Sequence, residues 1–439
     1  MTTPTNPIDR GSVYVAVGFL SGIGILISTT MPMVIGGLIE GLNFSETQAG
    51  DLVAIFSLTF TAIAVASLLF IRRVNWKFTA LTMSAICALA LFAVTLSSHY
   101  QTLISVFGVM GLGMGGLYAL GMTVLGDSSN PDKAFGLKLG YESMPAIIAL
   151  FAFPVLIIPE YGLKGMMYAM ATMAVIIAPL SFLVPSRGVK GIGAAASDVY
   201  KRQPEYGLKG MMYAMAAMAV IVAPLSFLVP SRGVKGGGAS ESNLADVSEI
   251  AAKRSKTPLG LSITTLVASI IFFSGVIATW AFLEVIGGIK GLPADKVGII
   301  LALGMVSATI GAFVAAALGN KKGRNFPMIA IIILNVLSSV LIWQSTSLFA
   351  FALGAISFTF CINYALAYFF GLSAEIDFSG RFVALSTTTL SLGGVIGPAI
   401  AGRLIEGSGI GAVLGFSAFC TVLSLILYMV VVRRSQQFV

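Results

Sequence analysis

The chain reads as an all-α, polytopic membrane protein, and three observations predict it. Hydrophobic residues fill 57% of the 439 positions and charged residues only 10%, against about 25% charged in a soluble domain. Mean hydropathy is +0.96, too apolar for the chain to cover its own surface with polar groups. The apolar residues also come in long runs separated by short turns, each run near the ~20 residues that cross a hydrocarbon core as a helix.

Those runs fall at 12–38, 48–71, 78–97, 102–125, 134–158, 163–185, 208–230, 259–287, 294–318, 326–345, 347–373, 382–405 and 410–432. The turns between them leave no room for a soluble domain. The one long polar stretch, 231–258, reads as a loop between two bundles.

Thirteen spans is an odd count, and a repeat explains it. Residues 159–191 read PEYGLKGMMYAMATMAVIIAPLSFLVPSRGVKG, and 204–236 repeat them with only Thr172/Ala217 and Ile177/Val222 changed. Ancient internal repeats in membrane proteins survive only as weak symmetry, so this copy is recent or artificial. Between the copies lies Asp198-Val199-Tyr200-Lys201-Arg202-Gln203, the translation of GAT GTG TAT AAG AGA CAG, the mosaic end of a transposase-based sequencing adapter. The reading is therefore an assembly artefact over 192–236, with a genuine tandem duplication of one helix as the alternative. Removing those 45 of 439 residues leaves 394, lowers the net charge from +8 to +5 and leaves twelve spans. The expected organisation is a six-helix bundle at 1–191, the duplicated helix-six segment at 192–236, a cytoplasmic linker at 237–258 and a second six-helix bundle at 259–439.

Orientation tests the excision. With the amino terminus inside and twelve spans, the inner loops carry Arg72, Arg73, Lys77, Lys133, Arg187, Lys190, Lys253, Arg254, Lys256, Lys321, Lys322, Arg324, Arg381, Arg433 and Arg434. The outer loops carry only Lys164, Lys290 and Lys296. This positive-inside bias predicts a multi-pass protein of the inner (plasma) membrane with both termini cytoplasmic. A thirteenth span would turn the second half over and put Arg324 outside. The same distribution explains the net charge without a nucleic-acid partner, because the basic residues line loops rather than one patch.

Other classes are excluded on composition. Cys87, Cys361 and Cys420 lie far apart within apolar runs, so neither disulfide nor metal site is expected. His99 is the only histidine and sits in a short outer loop, which leaves no membrane His–Asp acyltransferase site and no zinc site. No phosphate-binding loop is present, so the chain does not hydrolyse ATP. An enzyme and a cofactor are therefore not expected. Residues 1–10 are polar and the first apolar run is too long for a signal-peptide core, so no cleavable leader is expected.

Twelve spans split six and six by a basic loop are the layout of the major facilitator superfamily, and several motifs resemble that family's. Ile71-Arg72-Arg73-Val74-Asn75-Trp76-Lys77 resembles its loop signature after the second helix, with Arg72 where Asp is usual and Asn75 where Gly is usual. Gly319-Asn320-Lys321-Lys322-Gly323-Arg324 resembles the weaker copy after the eighth. Asp377-Phe378-Ser379-Gly380-Arg381 resembles the turn entering helix eleven, and Gly393 through Gly402 its Gly/Pro-rich stretch. The resemblance implies a carrier working by alternating access, with a cavity between helices one, four, seven and ten. Arg72, Arg73, Lys77, Lys321, Lys322 and Arg324 would then act as conformational loops or topology signals. One departure stands out: Phe107 occupies the fourth-span position where many drug antiporters of the family carry Arg.

An ionisable side chain within a span costs at least about 2.5–3.5 kcal/mol, so each is a functional candidate. Lys138, Tyr141, Glu142 and Pro145 share one face of the fifth span. Glu142 lies roughly 12 Å deep and Lys138 roughly 6 Å at 1.5 Å per residue. Two readings stay open: Glu142 as a proton-coupling or substrate-contacting carboxylate, or a structural Lys–Glu pair bracing the helix. Glu284, a turn beyond Trp280, is a site residue or an interfacial one. Arg403 with Glu406 is an outer gate or an anchor. Asn363, Tyr364 and Tyr368 are amphipathic groups suited to a cavity wall. The six glycines from Gly108 to Gly121 read as helix packing. The expected function is secondary active transport of a small organic solute, coupled to a proton or other ion, by a monomer in the lipid bilayer. The alternative is a non-transporting membrane sensor or binding protein of the same fold.

Overall fold

The computed structural model describes residues 7–128, 131–187, 259–318, 323–376 and 381–435, and every regular element among them is helical. The duplicated segment and its seam, the 237–258 linker, Lys321 and Lys322 lie outside these residues. In chain order the helices are α1 (Gly11–Gly24), α2 (Leu26–Thr29), α3 (Met31–Leu42), α4 (Glu46–Phe70), α5 (Trp76–Val94), α6 (Tyr100–Gly126), α7 (Pro131–Ala152) and α8 (Ile158–Ile177). They continue with α9 (Leu259–Ala281), α10 (Leu283–Ile289), α11 (Ala294–Leu318), α12 (Asn325–Gln344), α13 (Leu348–Ile376), α14 (Arg381–Ser408) and α15 (Ile410–Ser435). Ten stretches of the described residues are long and apolar enough to cross a membrane.

The expected segments and these stretches differ in three places, one of them the run 259–287, which breaks at Phe282 into α9 and α10. The run 12–38, expected as one helix, is three: α1, α2 and α3. Thr29 and Thr30 turn their hydroxyls back onto the carbonyls of Ile25 and Leu26 at 2.7–3.0 Å, and Pro32 has no N–H to continue the ladder. Both features weaken a helix interior. The runs 134–158 and 163–185 join into one apolar stretch, Gly140–Leu183. Its bend is a π-helical turn at Phe153–Ile157 containing Pro154, followed by Gly162 at φ 57°, ψ −151°, a conformation that favours glycine.

Helix starts follow from local chemistry. Ser45 and Gln48 form a reciprocal capping box at α4, and the Asn75 side chain accepts from the Lys77 and Phe78 amides at α5. The helices group into two compact units. One holds α1–α8 with residues 293–302; the other holds α9, α10, the rest of α11 and α12–α15.

Within the first unit α6 lies centrally, against α1, α4 and α5. Its glycines let backbones meet: a methyl group at Gly111 would sit 2.3 Å from the Phe56 carbonyl oxygen, and one at Gly115 would sit 2.5 Å from that of Phe60. Small residues are how helices approach closely in a membrane, where no hydrophobic force separates helix from lipid. In the second unit α9 takes the central place, against α14 and α15, and Ser424 of α15 bonds the Ala268 carbonyl of α9 at 2.7 Å.

Candidate functional site

α7 packs along α1, and two glycines of α1 make the contact. A Cβ at Gly18 would lie 2.5 Å from the Tyr141 Cβ; one at Gly22 would lie 2.8 Å from the Glu142 carbonyl oxygen and 2.9 Å from Pro145 Cγ. The face of α7 carrying Lys138, Tyr141 and Glu142 is therefore pressed against bare backbone. Lys138 and Glu142, four residues apart, form an ion pair with Lys138 Nζ donating to Glu142 Oε2. Their side chains are 1% and 5% exposed. The ammonium also stands over the Tyr118 ring of α6, 4.2 Å from its centroid, within reach of a cation–π attraction. Around this, Phe19 and Tyr141 rings lie 5.9 Å apart, as do Phe60 and Tyr118.

The structure thus brings together the three fifth-span candidates, Lys138, Tyr141 and Glu142, and adds Tyr118. Sequence reasoning missed Tyr118 because a tyrosine among six glycines carries no charge signal. A buried pair made within one turn of one helix fixes little between helices. It holds two charges ready in an apolar setting, where removing either partner is expensive.

The other candidates lie in the second unit on separate helices. Glu284 opens α10 just past the break at Phe282, where α9 ends. Tyr364 and Tyr368 are buried on α13 and continue a ladder with Phe360, centroids 5.9 and 5.3 Å apart. Asn363 on the same helix is half-buried. Arg403 is exposed on α14 and donates to the Ala399 carbonyl at 2.6 Å. In the turn after α10, Lys290 donates to the carbonyls of Trp343 and Ser345 at 2.8 and 3.0 Å, and desolvation by burial lowers its pKa.

Two loop arginines find acidic partners that the sequence reading did not name. Arg72 pairs with Asp127 at the end of α6, through 3.0 and 3.2 Å bonds. Arg324 pairs with Glu375 near the end of α13, Nε to Oε2 2.7 Å, and also bonds the Gly371 carbonyl at 3.2 Å. The available signal was positional, since an acidic residue stands near the end of each helix that receives the arginine. Trp76 fixes the first loop, with its indole on the Ile71 carbonyl and its amide on that of Ser186. Arg73 lies exposed on the same loop, and Lys77 in the first turn of α5.

Comparison with known proteins agrees on the fold. Among curated protein sequences none matches this chain. Solved structures do. A mutant of the nucleoside transporter NupG aligns with TM-score 0.67 at 13% identity, covering 95% of this chain and 99% of its own. A bacterial homolog of the human lysosomal transporter Spinster, inward-facing and unoccupied, aligns at 0.59 and 14%, covering 97% and 96%. A structure from work on substrate recognition in proton-dependent oligopeptide transporters aligns at 0.59 and 13%, covering 96% and 98%. The model of the Major Facilitator Superfamily matches residues 14–374, and the chain belongs to that superfamily of membrane transporters.

Proposed function

We propose that this chain is a twelve-span secondary transporter that moves a small organic solute by alternating access of its two six-helix bundles, with Glu142 carrying the coupling proton. The observation that supports the reading most directly is the Lys138–Glu142 pair, 1% and 5% exposed, on a helix pressed against glycines of α1. A charge pair inside a membrane is retained against a cost of several kcal/mol. Bracing is a weak account of this pair, because both members belong to the same turn of α7.

Twelve spans follow if α1–α3 count as one crossing with α7 and α8 as two, and if 192–236 is foreign to the natural protein; the basic loops then support both termini in the cytoplasm. Amplifying the region from source DNA with long reads checks the second condition: two contiguous copies of the repeat would refute it. The solutes named for the structural relatives, nucleosides and oligopeptides, are small and organic. The transport reading is tested in proteoliposomes holding a trapped pH dye. A carried solute acidifies the lumen as it enters, and an imposed inward proton gradient accumulates it until a protonophore is added. Accumulation that ignores the gradient and the protonophore would remove proton coupling.

A further inference from the structure

We propose that the solute is a carboxylate anion, and that its carboxylate replaces Glu142 on Lys138 while Glu142 takes up the accompanying proton. This rests on the transport reading above and names the substrate class of the same site.

Charge must balance in a sealed place. Lys138 and Glu142 are 1% and 5% exposed, so the site tolerates no uncompensated charge. The elements packed on α7 add none among the described residues. α1 meets Tyr141 with Gly18 and the Glu142 backbone with Gly22, and carries Tyr14 nearer its start; α2 has no titratable residue. α6 contributes Tyr118 at the pair and Tyr100 at its far end, and α7 itself contributes Tyr141, with Asp132 and Lys133, one charge of each sign, at its start. Net charge in the empty site is therefore zero, one ammonium and one carboxylate.

An anion entering alone makes the site negative, and a proton entering alone makes it positive. Anion and proton together restore zero: the Lys138 ammonium faces the solute's carboxylate, and Glu142 is a neutral acid. The N–H···O contact from Lys138 to Glu142 breaks, one to the solute forms, and the O–H formed on Glu142 uses the co-transported proton. Both the empty and the loaded site can then be enclosed, while the two half-loaded ones cannot. Coupling is one proton to one anion, and each cycle moves no net charge.

The alternative with the same balance is a cation that seats on Glu142 and drives the proton off Lys138. Geometry favours the anion. Lys138 has a second seat, the Tyr118 face 4.2 Å away, which holds the ammonium in place when Glu142 lets go and is worth little to a neutral amine.

The full chain in detergent is titrated calorimetrically with lactate, gluconate, benzoate and phenylacetate, with their amides, and with phenethylamine, in two buffers of different ionisation heat. The proposal expects at least one carboxylate to bind, its amide to bind at least tenfold more weakly, and one proton to be taken up per anion. Affinity should tighten by about tenfold per pH unit of acidification while the empty site stays unprotonated. Lys138→Gln should abolish that binding and Lys138→Arg should preserve it, which separates anion recognition from folding. Failure of all four carboxylates, binding without proton uptake, or phenethylamine binding with proton release would each overturn the assignment. An amide or amine that is carried with protons in proteoliposomes sinks the substrate class alone. A carboxylate that binds with proton uptake but is never carried sinks the transport reading instead.

Discussion

Arg72 reaches both carboxylate oxygens of Asp127, at 3.0 and 3.2 Å, and the acid is fully buried while the guanidinium stays 41% exposed. Two parallel bonds fix orientation as well as distance, so lysine is no equivalent for arginine here. The pair ties the loop after α4 to the end of α6. Solvent around Arg72 screens it, which holds its worth to roughly 1 kcal/mol. Asp127→Asn and Arg72→Lys should each lower the melting temperature in detergent by a few degrees and slow uptake several-fold. Unchanged melting and uptake in both variants would make the pair incidental.

Contact between α1 and α7 has a sharper test. A methyl group at Gly22 would lie 2.8 Å from a backbone oxygen and 2.9 Å from a proline ring, neither of which can swing away, whereas nothing lies within 4 Å of one at Gly140. Gly22→Ala should destabilise by about 1–3 kcal/mol, as overpacking does, and impair uptake. Gly140→Ala should be neutral or stabilise by up to about 1 kcal/mol, because alanine favours helix. Thermal melting of the two variants side by side decides it, and equal melting would mean the helices are not this close.

The proposed orientation is checked by labelling. Cys87, Cys361 and Cys420 are all buried, so native background should be low. A cysteine at exposed Ser98 should react with an impermeant thiol reagent on intact cells, and one at exposed Asn75 should react only after permeabilisation. Replacing Asn75 also removes the α5 cap, at about 1 kcal/mol, too little to unfold the chain. Labelling of the Asn75 position from outside would invert the first bundle.

Much of this was legible in residues 1–187. Charge in an apolar run is rare enough to mark Lys138 and Glu142 without a structure, and four-residue spacing was enough to pair them. The glycines of α6 read correctly as packing, since Gly111 and Gly115 face the backbone of α4. Three things were not legible. The breaks at Ile25 and Thr30 depend on hydroxyls bonding backward, which competes with helix only weakly and leaves hydropathy unchanged. Asp127 and Glu375 are isolated acids at helix ends, and a partner more than fifty residues away in the chain has no local signature. Tyr118 became part of the site only because α6 carries it beside α7.

Glu142 supplies the most decisive variant. If it carries the coupling proton, Glu142→Gln keeps the shape of the side chain but removes its capacity to gain and lose that proton. Uphill, proton-driven accumulation should then fall to background. Exchange of labelled for unlabelled solute across equal concentrations should persist at a substantial fraction of the unmodified rate, because exchange needs no net proton movement. A purely structural pair predicts the opposite pattern, with both activities falling together as the protein fails to fold, since stranding one buried partner costs about 3–5 kcal/mol. Poor folding of Glu142→Gln can itself be resolved with the double variant Lys138→Met, Glu142→Leu. Replacing both charges by apolar groups of similar volume should restore the melting temperature, as apolar replacement of buried pairs often does, while leaving uptake absent. A refolded double variant that still accumulates solute under a proton gradient would remove both residues from the transport mechanism and send the search for the coupling group to Glu284.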